Sequence, residues 1–342
     1  MKEVQAKLFS GLASVLPNDL VSERSVDLLA ARYVNKKGAD DESALKYAKI
    51  EGRLRVPGFG VVAMCSWKTD RLLAIPVALV GDVDVGLVVV DNAGLVSLFC
   101  AESCVDVVAS PLDLYDKVFY RAGSYELEEV SWAYAPFLIL RLDERCSGVP
   151  FPEAWSQALS QVSVLVSKRN GEVWKGKALE AFEALNAGPA SRYMGHCLIE
   201  ASISSSQNHA FLEIYRCLEA LYEVHSVERL LGTVAGGEGV SRGAVIVNAL
   251  KGIDWKLRQD SALRRILSCL GEADIDEVSV CLGCDREKDG LVKVIYDLRN
   301  SIAHGRLGAV ARTIGDSELR AICLVSARAF EHTRVADSWL AS

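Results

Sequence analysis

A chain of 342 residues, half of them hydrophobic, has room for about two domains with sizeable cores and is not composed like a disordered polymer. A net charge of -7 argues against a protein that coats nucleic acid through a general basic face, and leaves room only for a small local cationic site. No apolar run reaches membrane-spanning length, and the polar start Met1-Lys2-Glu3-Val4-Gln5-Ala6-Lys7 leads into no signal-peptide core, so a cytoplasmic protein with no membrane partner is expected.

Residues 1–55 read as helical. Val26–Val34 has helical apolar spacing, and Asp41 or Ser43 starts a second helix running through Ile50. From Val56 the period changes. Phe59–Trp67, Leu72–Leu79, Val83–Val90 and Leu95–Cys100 are short Val-rich runs cut by turn residues, which predicts an antiparallel meander. Tyr125–Trp132 and Pro136–Leu142 add two candidate strands, with Cys104–Asp116 ambiguous between them. Nothing in this part reads as catalytic. Gly58-Phe59-Gly60 is too short for a phosphate loop, and turn chemistry explains Gly81, Asp82 and Asp84. Residues 1–148 are therefore expected to form an α+β regulatory or sensor domain.

The prolines that bracket Phe151 mark a boundary. Helices at Glu153–Lys168 and Val173–Leu185 follow, broken at Arg169-Asn170-Gly171, and make 149–189 a helical linker region whose allegiance the sequence leaves open. Residues 190–342 read as an all-helical up-and-down bundle. Its elements are Arg192–Ser202, a helix capped by Asn208 with Phe211, Tyr215, Leu218 and Tyr222 as inner stripe, shorter helices at Ser241–Leu250, Ser261–Leu270 and Ile275–Leu282, and Asp316–Leu340. Gly232–Gly239 follows no strand, and reads as a flexible connection rather than a phosphate loop.

Ten cysteines raise the question of a metal. Cys281-Leu282-Gly283-Cys284 and the looser pair Cys100 and Cys104 have the spacing of half a zinc site, but a structural zinc takes four ligands and no CxxC recurs. Cys65, Cys217, Cys269 and Cys323 sit among Leu, Val and Ala as small buried hydrophobes. Reduced thiols are expected, with no metal and no cofactor.

The stretch from Asp289 to Gly305 carries the chemistry. Leu291, Ile295, Leu298 and Ile302 form one apolar stripe with Val294 beside it; Asp289 sits where an N-cap belongs and Gly305 where a helix stops. Towards its end the helix carries Arg299, Asn300 and His304. Arg299 and His304 lie about one and a half turns apart and point in different directions, so one helix cannot close both around a small ligand. A second copy about a two-fold axis supplies the missing sector.

Arg299-Asn300-Ser301-Ile302-Ala303-His304 resembles the R-N-x-x-x-H signature of the HEPN superfamily of all-helical domains. Upstream, Phe211–Tyr222 is similar to the aromatic–x–x–Leu–Glu helix of its Apea-like branch. The resemblance covers roughly the last two-fifths of the chain. It implies a metal-independent endoribonuclease, a toxin-like effector in antiviral defence or growth arrest, working on RNA as a homodimer under a regulatory partner or antitoxin. Arg299 would hold the phosphate, His304 would serve as acid or base, and Asn300 would orient the pair. Glu219 and Arg216 on the upstream helix would be helpers, or each simply a surface charge. The competing reading is a non-catalytic module that only dimerises or binds RNA or a nucleotide, with His304 merely facing the helix dipole.

Overall fold

The computed structural model describes residues 2–17, 32–35, 38–81, 88–120, 123–142, 149–187, 192–234, 259–304 and 313–332; for residues 192, 193, 223–234, 304 and 332 it describes the backbone alone. The chain divides into two compact units between Phe151 and Pro152. Among the described residues no helix is long and apolar enough to cross a membrane.

The first unit is α+β. Among its described residues, helices α1 (Lys2–Ala13), α2 (Ala39–Tyr47), α3 (Val77–Val80), α4 (Ala93–Ala101), α5 (Pro111–Leu114) and α6 (Glu128–Ser131) are interleaved with seven strands: β1 (Arg32–Val34), β2 (Lys49–Val56), β3 (Gly60–Trp67), β4 (Asp70–Pro76), β5 (Val88–Val89), β6 (Gly123–Tyr125) and β7 (Phe137–Arg141). The main sheet is antiparallel, in the order β2-β3-β4-β7-β5. β3 and β4 are the first two strands of the expected meander, and β2, which pairs with β3, falls in a stretch read as helical. Leu8, Phe9 and Leu12 of α1 and Leu95 and Phe99 of α4 share a core with Val61, Ala63, Cys65, Leu72, Ala74 and Ile139 of the sheet.

Four expected elements differ, each for a physical reason. Leu95–Cys100 is not a strand but the body of α4. The turn residue Asn92 caps it, its Oδ1 accepting the Leu95 N–H at 2.9 Å, and because the segment is buried all round its hydrophobicity shows no period. The strand expected over Tyr125–Trp132 ends at Tyr125, and the Glu129 carboxylate accepts the Glu126 N–H at 2.7 Å at the start of α6. The helix expected through Ile50 stops at Tyr47, where Lys49–Val56 leaves to pair with β3. Within Val26–Val34, residues 32–34 are a strand, parallel to β6, and 26–31 lie outside the described residues. Long-range partners decide this strand: buried Arg32 donates to the Phe119 carbonyl at 3.0 Å and lies over its ring, and the Val34 N–H donates to Gln5 at 2.8 Å. Of Val83–Val90, residues 83–87 lie outside the described residues.

The second unit is helical throughout its described residues: α7 (Phe151–Arg169), α8 (Gly176–Asn186), α9 (Arg192–Ile203), α10 (Gln207–Val234), α11 (Gln259–Ser268), α12 (Glu272–Leu282), α13 (Lys288–His304) and α14 (Asp316–His332). The region read as a linker belongs to this unit. Val173, Trp174, Ala178, Phe182 and Leu185 sit in one core with Phe211, Leu218, Leu263, Leu291 and Ile322. The Trp174 indole N–H donates to the Ala201 carbonyl at 3.1 Å, and Asn170 donates to the carbonyls of Ser202 and Ser204. A buried tryptophan with a bonded N–H is core, not connection. The expected helix Ser241–Leu250 and the end of Asp316–Leu340 lie outside the described residues.

Two cap assignments change as well. Asn208 does not cap α10; its side chain accepts the Ile314 N–H at 2.8 Å, and Ser206 accepts from His209. Asp289 falls inside the first turn of α13 and pairs with Arg264 at 2.9 Å. The CxxC forms a helix end: Gly283 has φ 62°, and the Cys284 N–H donates to the Ser279 carbonyl at 3.1 Å. Cys281 and Cys284 are free thiols, both pushed up by burial.

Candidate functional site

Helix α13 packs against α10 and α11. Leu291, Val292, Ile295 and Leu298 are its buried face. Arg299 follows directly on Leu298, so its stem leaves the edge of the core and its head emerges beside α10. The side chain keeps 23% of its surface exposed, and its Nη2 lies 3.4 Å from Glu219 Oε1 on α10. Its Nη1 donates to Asn300 Oδ1 at 3.1 Å. The guanidinium carbon stands 5.9 Å from the centre of the Tyr215 ring, within reach of a cation–ring attraction.

Beneath the guanidinium is a pair of buried phenols. The Tyr222 hydroxyl donates to the Tyr215 hydroxyl at 2.9 Å, and the rings meet edge to face at 6.5 Å and 88°. Burial pushes the Tyr215 hydroxyl up to about 12, with Glu219 adding to the rise and the Tyr222 hydrogen bond and Arg299 opposing it. Burial raises Tyr222 as well, followed by Tyr215. Both phenols are therefore neutral near pH 7, and Glu219 is the carboxylate that faces the cation.

Arg299, Asn300 and Glu219 thus come together. Arg216 goes elsewhere: its Nη1 donates to both carboxylate oxygens of Glu213, at 2.7 and 2.9 Å, on the same helix. His304 is the last residue of α13; its side chain lies outside the described residues.

Sequence reasoning took Tyr215 and Tyr222 for core stripe alone and missed the hydroxyl pair under the cation. The signal was present. Tyr215, Glu219 and Tyr222 stand at i, i+4 and i+7, one helical face, and a glutamate between two tyrosines on an inward face calls for a cation from another helix.

Arginine has five N–H donors in a rigid fork. Two are engaged here among the described residues, and the remainder can meet an anion such as a phosphate. Among the described residues no group of three or more His, Cys, Asp or Glu is arranged to hold a metal ion. Comparison of the chain with family models, with curated proteins and with solved structures gives no match.

Proposed function

We propose that the helical unit is a HEPN-like, metal-independent endoribonuclease, a toxin-like effector that acts in the cytoplasm as a homodimer, with the first unit as its regulator or sensor. The observation that carries the reading is Arg299: a half-buried guanidinium fixed by Glu219, Asn300 and the Tyr215 ring, about one and a half turns before His304 on the same helix.

RNA supplies its own nucleophile. A base takes the proton of a ribose 2′-hydroxyl, the oxygen attacks the adjacent phosphorus, and the 5′-oxygen leaves with a proton from an acid. The products are a 2′,3′-cyclic phosphate and a 5′-hydroxyl. Imidazole has the pKa for either proton transfer near neutral pH. An arginine fork, charged at every working pH, stabilises the phosphoryl oxygens as negative charge grows on them. Two copies of α13 about a two-fold axis provide two forks and two imidazoles over one phosphate, so each proton transfer has its own histidine. The chain's acidity is compatible with this, because the cation is local.

The test is cleavage of an RNA oligonucleotide in EDTA by wild type, Arg299→Ala and His304→Ala, with product ends read by mass spectrometry and assembly by light scattering. Wild-type cleavage to cyclic-phosphate ends by a dimer, lost in both variants, is the expected result. A folded wild type that binds RNA without cutting it selects the non-catalytic module, and full activity in a strict monomer or a requirement for magnesium refutes the composite site.

A further inference from the structure

We propose that Tyr215, with its ring held by Tyr222, is a positioning residue that sets the direction of the Arg299 fork. The meaning of that direction for a phosphate rests on the nuclease reading, but the positioning itself does not. Arg299 ends a long side chain whose carboxylate contact among the described residues, at 3.4 Å to Glu219, is too long to fix it alone, and its amide partner is the next residue along its own helix. The ring supplies the missing floor, 5.9 Å below the guanidinium carbon.

A ring can serve as a floor only if it does not turn. Tyr215 is buried, its hydroxyl is held by Tyr222 at 2.9 Å, and the edge-to-face contact between the rings opposes rotation. Packing does not explain the phenols. Phe211, one turn earlier on the same stripe, is buried beside Tyr215 without a hydroxyl. Two buried hydroxyls, one donating to the other, carry a desolvation cost that a phenylalanine pair would avoid. Kept together, they lock the ring on which the cation rests.

The experiment measures phenylglyoxal modification of the full chain by time-resolved peptide mass spectrometry, with Arg320, which pairs with Glu277, as the internal ruler. In Tyr215→Leu the Arg299 rate relative to Arg320 is expected to rise about fivefold, the factor of an ordinary cation–ring contact. Tyr215→Phe and Tyr222→Phe keep both rings and lose the lock, and are expected to raise the ratio about twofold, as for one net hydrogen bond of modest strength. An unchanged ratio in Tyr215→Leu, or a rise shared equally by Arg320, overturns the proposal. Where Tyr215→Leu does not fold, the two phenylalanine variants decide, and an unchanged ratio in both overturns it. No catalysis is needed for this readout. If RNA stays intact while the ratio shifts, the nuclease reading falls and the positioning role stands; if cleavage also drops, it should do so in kcat with KM held.

Discussion

Two carboxylates on α10, six residues apart, are neutralised in opposite ways. Glu213, whose side chain is only 4% exposed, is closed by its own helix, with Arg216 three residues on at 2.7 Å and His209 four residues back at 3.3 Å. Glu219 is met from α13, by Arg299 at 3.4 Å. The first arrangement forms whenever the helix forms. The second exists only once the bundle is assembled, and it brings a cation to an edge where two helices meet. The cations differ to match: Arg216 is 55% exposed and Arg299 23%. A cation partly withdrawn from water attracts an anion more strongly than one surrounded by it. The comparison separates a pair that staples one helix from a pair that joins two.

The largest expected effect tests that separation directly. Arg299→Ala should lower kcat/KM for RNA by about a hundred- to a thousandfold, the usual loss for one preorganised donor to a developing anion. Arg299→Lys should recover little, since an ammonium lacks the planar fork. Arg216→Ala should stay within about twofold, because Arg216 bonds Glu213 within its own turn rather than the site around Arg299. Equal losses at the two arginines would erase the distinction.

Stability should show the reverse order. Glu213→Ala removes a buried acceptor of charged hydrogen bonds and should cost about 1.5–3 kcal/mol, read from denaturant midpoints. Glu219→Ala breaks a longer pair whose carboxylate is the more exposed of the two and should cost less than about 1 kcal/mol. It should still reduce cleavage about tenfold, because the fork loses one of its fixed sides and with it some preorganisation. A Glu219→Ala protein less stable than Glu213→Ala would show that the longer contact is structural after all.

How much of this was legible depended on where each residue finds its partner. The stripe Leu291, Ile295 and Leu298 was readable because its period is local, and β3, β4 and β7 were readable for the same reason. The antiparallel sheet of the first unit and the helices of the second followed from those periods. Arg299 and Asn300 were found through a motif, and Glu219 and Arg216 were named together as helpers on the upstream helix, although the carboxylate that holds Arg216 lies in its own turn. β1 was missed because the bonds of Arg32 and Val34 come from Phe119 and Gln5, far away in sequence. α4 was missed because a helix buried on every side loses its period. The Tyr215–Tyr222 pair was hidden by the habit of reading aromatics on an inner stripe as filling alone.

The smallest expected effect is electrostatic, and it distinguishes the crowded Glu213 neighbourhood by its sign. Glu200 on α9 is raised above its ordinary 4.5, by burial first and then by Glu213, with His209 and Arg216 opposing. A carboxyl raised in the folded state binds its proton more tightly there than in the unfolded chain, so stability falls as pH rises from 4.5 through the raised value. Glu200→Gln should therefore be more stable than wild type at pH 7, by a few tenths of a kcal/mol after solvent screening, and the gap should close near pH 4. Glu102 in the first unit runs the other way. The Lys7 ammonium, and Arg53 after it, hold its carboxyl below 4.5, so its contribution is present above that value and is lost as pH falls through the lowered one. Glu102→Gln should be less stable than wild type at pH 7 by a similar few tenths, converging with it in acid. Denaturant midpoints of the three proteins across pH 3 to 8 read both signs at once. A Glu200→Gln protein that is the less stable one at pH 7 would mean that the charge on Glu200 is welcomed there, and that Glu213 is already neutralised within its own helix so fully that no repulsion reaches the next.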